Sequence, residues 1–459
     1  MVTDQKNELK LTKTLAGAAG LLAVVALVTA PRNITPSAFL DQGELFFPTF
    51  QDPNEAMTLE VIEFDEDTGS ARPFKVKNDE GRWRIACHHN YVADGEERLS
   101  QTAAGVITIT KDDFRSDNVS DHEVLGVVDP LDETETGLTG RGKRITLKGS
   151  NDVVLADLIV GSEVEGRENY HFVRVPTQKR VYAAKIDVEI STKFEDWIEQ
   201  DLLAAEQSSI NKIVLMDYSI DERTYRVNQN DTFTLTKESE EWKADRLRAA
   251  QELDTTKLDD FLKEISELAV VGVRPKPEGI DARLSGMTVS QSDVLSLQSR
   301  GYYLTRSGDL LSNEGELQIR SNAGMSYTLR FGEILYGTGE AISAGTDSAN
   351  DSEMGPGENR YLFITASFDP TTFSEPPKPA NYDFEDKQDT DLTDMDKENK
   401  RVADEHKRWQ ENIKEGEEKT AQLTSRFQPW YYVISASSFD KIRLRRTDLI
   451  KTKEATATE

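Results

Sequence analysis

Cysteine is almost missing from this chain: Cys87 is the only one in 459 residues. No internal disulfide can form, and zinc sites of the cysteine type are excluded. Apolar residues are also sparse, at 37% against 30% charged, below the usual globular share. Positive charge is outnumbered, with 55 Lys and Arg against 83 Asp and Glu, for a formal net charge of -28. Such a surface repels phosphate backbones, so nucleic-acid binding is not expected. No Gly-x-Ser-x-Gly nucleophile elbow occurs, and carboxylates are too abundant for one pair to stand out as general acid and base.

Long apolar runs are also absent, with one exception. Residues 15–30, LAGAAGLLAVVALVTA, carry no charge. As a helix they span about 24 Å, somewhat short of a ~30 Å hydrocarbon core. Leu9 and Leu11 can extend the helix upstream while Lys10 and Lys13 reach for headgroups. Lys6, Lys10 and Lys13 lie before the run and only Arg32 follows closely. This bias predicts a cytoplasmic N-terminus (residues 1–14), a transmembrane anchor (15–30) and the bulk of the chain on the extracytoplasmic side. Val28-Thr29-Ala30 also fits a signal-peptide cleavage site. Pro31, directly after it, favours the uncleaved reading.

Residues 31–56 hold four prolines and no helical period, which predicts an extended stalk. Its Phe46, Phe47 and Phe50 are expected to pack on the first domain or lie near the membrane interface. From Met57 short alternating runs begin: TLEVIEFD, RPFKVKND and GRWRIAC read as strands. A helix is predicted near residues 94–104, then four strands in KRITLKG, VVLADLIVG, NYHFVRVP and KRVYAAKI. STKFEDWIEQDLLAA (191–205) reads as an amphipathic helix with Phe194, Trp197, Ile198 and Leu202 on one stripe.

The same plan then recurs. NKIVLMDYS corresponds to TLEVIEFDE, and the segment around Trp242 to that around Trp83. DTTKLDDFLKEISEL is the second helix, with Leu258, Phe261, Leu262, Ile265 and Leu268 at helical spacing. GELQIRSN, SYTLRFGEI, NRYLFITAS and WYYVISASSFDKIRL match the later strands. The predicted fold is α+β: two tandem related units of mainly antiparallel sheet with packed helices, residues 57–206 and 207–450, preceded by one transmembrane helix. The second unit holds a flexible loop (336–357) and an acidic helical insertion (370–425), and a disordered tail (451–459) ends the chain. In the insertion Met395, Val402 and Trp409 fall seven apart, with Ile413 nearby. This narrow stripe is the candidate partner-binding surface.

These units resemble bacterial membrane-anchored proteins of unknown function associated with gliding-motility-type ABC transporter components. The likeness is carried by GRWRIAC and EEWKADR, by the DTTKLDDFLKEISEL helix, by the G-x-x-D-P element at 126–130, and by ITLKGSNDVVLADLIVG and YHFVRVPTQKRVYAA. It implies a non-enzymatic accessory or scaffold subunit in an envelope complex, with protein partners and no catalytic residues or cofactor. The alternative is an envelope polysaccharide-binding module, with Tyr302-Tyr303 or Trp430-Tyr431-Tyr432 as aromatic platforms.

Other motifs weigh little. Residues 137–143, GLTGRGK, fit a phosphate-loop pattern. Arg144 follows where Ser or Thr is needed, and a strand follows where a helix is needed, so no nucleotide is expected. His88-His89 adjoin Cys87, but neighbours on a strand point to opposite faces. His122-Glu123 lacks a second histidine, and the acidic run 386–396 lacks a calcium loop's central glycine. No metal site is expected.

Overall fold

The computed structural model describes residues 16, 18–22, 41–66, 68–188, 190–199, 201–221, 223–277, 280, 290–305, 307–336, 358–388 and 392–453. Of the apolar run, Ala16 and residues 18–22 are described, as helix; the rest of the expected anchor lies outside the described residues. So do loop residues 337–357 and tail residues 454–459. Among the described residues no helix is long and apolar enough to cross a membrane.

The fold is mixed α+β and mainly antiparallel. The first sheet is built from β1 (Thr58–Asp65), β2 (Ser70–Asp79), β3 (Arg82–Ile85), β4 (Tyr91–Val92), β5 (Asp113–Ser116), β6 (Lys143–Lys148), β7 (Val154–Glu163), β8 (Tyr170–Arg174) and β9 (Val181–Lys185). Its spatial order is β4-β3-β2-β1-β6-β7-β8-β9-β5. Alternation sets which face is buried: Leu59 and Val61 of β1 meet Val76 and Phe74 of β2 and Leu147 and Ile145 of β6, all in one core. Helix α1 (Glu96–Ile107) packs through Leu99, Thr102, Ala103 and Val106, the i, i+3, i+4, i+7 stripe of a surface helix.

The second sheet comprises β10 (Ile210–Asp221), β11 (Arg226–Glu238), β12 (Glu241–Ala244), β14 (Gly272–Pro275), β17 (Glu316–Ser321), β18 (Met325–Tyr336), β19 (Glu358–Phe368) and β20 (Trp430–Ile434). Its order, β12-β11-β10-β17-β18-β19-β20-β14, repeats that of the first from β3 to β5. Helix α2 (Thr255–Ser266) buries Leu258, Phe261, Leu262 and Ile265, the spacing of α1, and Asp254 caps it by accepting from the Lys257 N–H. Two small pairs complete the chain. β13 (Gln251–Leu253) pairs with β21 (Ile450–Thr452), and β15 (Tyr302–Leu304) with β16 (Leu310–Ser312). Ordered chain thus continues past residue 451, where a disordered tail was expected. Helix α3 (Gln291–Gln298) precedes β15.

Two segments differ from expectation. The stripe at 191–205 is not an α-helix: only Phe194–Trp197 turns, as a 3-10 helix, and Ile198 is extended. The Trp197 indole N–H donates to the Ser191 carbonyl, while the Trp197 carbonyl accepts from the Asp94 N–H. These tertiary bonds replace the helical ladder, and Phe194, Trp197, Ile198 and Leu202 are all buried without it. The stalk's described part, from Asp41, lies against the first sheet, with Phe46 and Phe50 in its core. Trp83 and Trp242 are the second residues of β3 and β12, and both are only half-buried.

The acidic insertion forms a 34-residue helix, α4 (Asp394–Phe427), between β19 and β20, which pair directly. A Thr393–Asp396 capping box starts it, and Lys387 binds the same carboxylate at 2.7 Å. The Lys387 bond, with those from Thr393, holds Asp396 down at about 2. The seven-residue spacing continues from Val402 through Trp409 to Gly416 and Leu423, and Val402, Gly416, Leu423 and Phe427 are buried. α4 therefore packs on its own sheet. Helices α5 (Ala436–Ile442) and α6 (Arg446–Leu449) follow β20.

Gly416 sits where a Cβ would overlap the Phe368 ring. Alanine is the better helix former by ~1 kcal/mol, yet Gly416→Ala is expected to lose about 1–3 kcal/mol through overpacking. Urea unfolding measures it, and Phe368→Leu in the same background should recover part of the loss.

Candidate functional site

The connection from β5 to β6, residues 117–142, folds over one end of the first sheet and walls a cleft of about 510 Å³. Val119, His122, Asp129, Arg144, Arg174 and Lys179 are among its lining residues. The connection has little regular structure of its own, and three arginines organise it.

Arg174, at the end of β8, is buried. Its Nε and Nη2 both donate to the Val127 carbonyl, at 3.0 and 2.9 Å, and Nη1 donates to the Pro176 and Gln178 carbonyls. Burial pulls this guanidinium below its ordinary value, opposed by the nearby charges of Asp129 and Asp132. Arg141 performs the same task for the outer turn, donating to the carbonyls of Asp129, Asp132, Glu135 and Gly137, with its plane over the Phe64 ring. Arg144 is bidentate to Asp157, at 3.0 and 2.7 Å, and also reaches Asp129 at 3.0 Å. The hydrogen bond to Asp157 is the largest cause of its raised value. His122 bonds the Lys179 carbonyl through Nε2 at 2.8 Å, and burial is the main cause of its lowered value.

Glycine is required at two turns here. Gly126 has φ +70° and Gly140 φ +72°, and a Cβ would strike Ser162 and the Glu123 backbone respectively. The G-x-x-D-P element is thus a packed turn whose carbonyls face arginine. The phosphate-loop pattern at 137–143 is the same winding. Arg141 is inside it, and Lys143 begins β6 with its ammonium 2.6 Å from Glu63. The spacing of these arginines carries no periodic signal, and the sequence reading passed over Arg141 and Arg174.

Other singled-out residues are dispersed. Met395 is exposed, Val402 is buried, Ile413 is half-buried, and the half-buried Trp409 donates its N–H to the Phe373 carbonyl at 3.1 Å. Tyr302, Tyr431 and Tyr432 are fully buried, Tyr302 stacked on Tyr431 at 5.8 Å. Among the described residues no group of three or more His, Cys, Asp or Glu could hold a metal ion. His88 is buried, stacked on Phe194 at 4.8 Å, with Nδ1 3.1 Å from the Cys87 sulfur. Burial, then the charges of His89 and Arg274, push it down to about 4.

Two outcomes follow from these buried groups. Arg174→Met leaves three carbonyls without donors and is expected to cost about 2–4 kcal/mol, with faster proteolytic cutting within 117–142 as the local readout. His88 stays neutral in the fold down to pH about 4, whereas an unfolded histidine takes up its proton near 6.5. Its contribution is therefore complete above about pH 6.5 and is lost as pH falls toward 4, by about 3 kcal/mol in total. His88→Phe should flatten the pH dependence of stability by close to one proton over that window. An unchanged slope would show that His88 does not titrate this way.

No curated protein and no solved structure matches this chain. A family model described as a domain of unknown function (DUF4340) matches residues 83–283, from Trp83 in β3 past β14, and so takes in the arginine-wound cleft and the first half of the second sheet.

Proposed function

We propose that the chain is a non-enzymatic accessory or scaffold subunit of an ABC-transporter-like envelope complex. In this reading residues 15–30 anchor it in the cell membrane, and two tandem related units, 57–206 and 207–450, stand on the extracytoplasmic side. The observation that carries it is the pair of sheets with one strand order joined through a single hydrophobic core. A repeated, fused frame presents wide surfaces at fixed separation, which suits holding partners in register. The charges in the larger cleft support the same reading, because Arg174, Arg141 and Arg144 are committed to the protein's own carbonyls and carboxylates. The polysaccharide alternative relied on exposed aromatic platforms, and Tyr302, Tyr431 and Tyr432 are core residues.

Affinity purification of the full chain from detergent-solubilised membranes tests the proposal. Recovery of permease and ATPase subunits is the expected result; recovery of glycan without them would overturn it. Leu22→Arg with Val25→Arg should remove the chain from the membrane fraction, since each mid-membrane charge costs ~2.5–3.5 kcal/mol. Full retention in that fraction would refute residues 15–30 as the anchor.

A further inference from the structure

The outer faces of the two sheets handle charge differently at one matched position. With Leu59 and Val61 of β1 laid over Ile213 and Leu215 of β10, Thr58 corresponds to Lys212, Glu60 to Val214, and Lys148 of β6 to Arg320 of β17. In the first sheet Lys148 is neutralised by Glu60 at 2.8 Å. In the second sheet valine replaces that glutamate, and Lys212 stands directly opposite Arg320. Like charges directly across a strand pair destabilise it. Lys212 is half-buried and Arg320 exposed, and among the described residues neither is in an ion pair. This occurs in a chain with 83 acidic residues against 55 basic ones, where an acidic partner would be easy to supply.

The surroundings are those of a binding site. Thr236 lies directly opposite Lys212, and Ser326 directly opposite Arg320, so hydroxyls flank the two cations on one face. Ile210 pairs with Ser321 and Lys212 with Arg320, which leaves Asn211 as an extra residue in β10. Such bulges re-aim side chains. All five side chains line a cavity of about 220 Å³ at this end of the sheet. Lys237 also lines it but is paired with Glu240 at 2.7 Å. The one carboxylate in the lining, Asp369, accepts from the Thr371 N–H and hydroxyl at 3.1 and 2.6 Å. These bonds are the main cause of its lowered value; Arg320's charge adds to it from beyond ion-pair distance.

We propose that Lys212 and Arg320 form a binding site for a hydroxyl-bearing oxyanion with the chemistry of a uronate or a sugar phosphate. The two cations hold the anionic group, while Thr236, Ser326 and Asn211 take the hydroxyls. The cavity is smaller than the ~300–1,000 Å³ of pockets for drug-sized ligands, so it accepts a single sugar-sized group. The site is independent of the scaffold reading, because it uses neither the anchor nor a protein partner.

Thermal melting of the full chain tests it, with inorganic phosphate, glucuronate, glucose 6-phosphate, glucose, and sodium chloride at matched ionic strength. Glucuronate and glucose 6-phosphate should raise the melting temperature saturably and at lower concentration than inorganic phosphate, with glucose and chloride inert. Lys212→Gln and Arg320→Gln should each weaken the response about tenfold, the effect of losing one charge-assisted contact. Neither should lower the ligand-free melting temperature, because each removes a like-charge contact. An equal shift from chloride would reduce the effect to screening and overturn the proposal. Variants that keep the response would place the anion elsewhere, and variants that melt early without ligand would make the cations structural. A response to inorganic phosphate equal to that of the sugar anions would overturn the hydroxyl-bearing assignment.

Discussion

Tyr91 holds the two sheets together. It belongs to β4, an edge strand of the first sheet, yet its ring lies 5.1 Å from Trp430 and 6.5 Å from Tyr432 of the second, and 5.6 Å from Phe194 behind it. A chain with net charge -28 repels itself, so the contact between its halves must come from apolar burial. Aromatic edges and faces supply that burial with fixed geometry. Cations reinforce the rim from α4: Arg426 reaches Glu199 at 2.9 Å and the Asp201 carbonyl at 3.2 Å, and Lys419 reaches the Ala204 carbonyl at 3.2 Å. The segment 191–205 must present these carbonyls outward and Trp197 inward. A helix there would bond its own carbonyls, and the seam accounts for its extended form.

Much of this frame was legible in the sequence because one-sided burial writes itself into a period. Leu59 and Val61 of β1, Ile145 and Leu147 of β6, and Ile213 and Leu215 of β10 alternate because they share the face that meets the core, although Thr58, Ile62 and Thr146 on the other face are buried too. α1 and α2 repeat every three to four residues because one stripe is buried. Residues 191–205 imitate that signal: Phe194, Trp197, Ile198 and Leu202 are buried at helical spacing on a chain that is not helical. The stripe of α4 was also readable, but its destination was not. Gly416, which fixes how closely the helix lies on Phe368, has no side chain to signal it.

The cleft was the least legible part. Residues 117–142 are ordered by guanidinium groups bonding backbone carbonyls, and any residue type supplies a carbonyl. Arg141 therefore leaves no trace of its partners at 129, 132, 135 and 137. What was visible was a phosphate-loop pattern in GLTGRGK, set aside because Arg144 and a strand follow it, and a G-x-x-D-P element legible only as part of a family likeness. In the fold Gly126 and Gly140 serve close approach of backbone to backbone.

The corresponding connection in the second sheet, between β14 and β17, meets the same requirement by other means. There Lys276 is buried with its ammonium 3.5 Å from the centre of the Phe363 ring, and it donates to the Phe427 carbonyl at 3.1 Å. α3 and the β15–β16 pair close over Phe363 and Tyr431, with Tyr302 of β15 stacked on Tyr431. Each sheet thus sets a buried cation on a backbone carbonyl beside this connection. In the first the cover is polar and wound on arginines, and in the second it is aromatic. The strand order is held in common while the covering of the outer face has diverged. Under the proposed duplication, differences in partner or ligand between the halves are expected on that face, since the inner face is constrained by the shared core. Replacement of Glu60 by Val214 at matched register leaves Arg320 opposite Lys212 without the ion pair that Lys148 has, and is the divergence that makes a neutral surface more cationic.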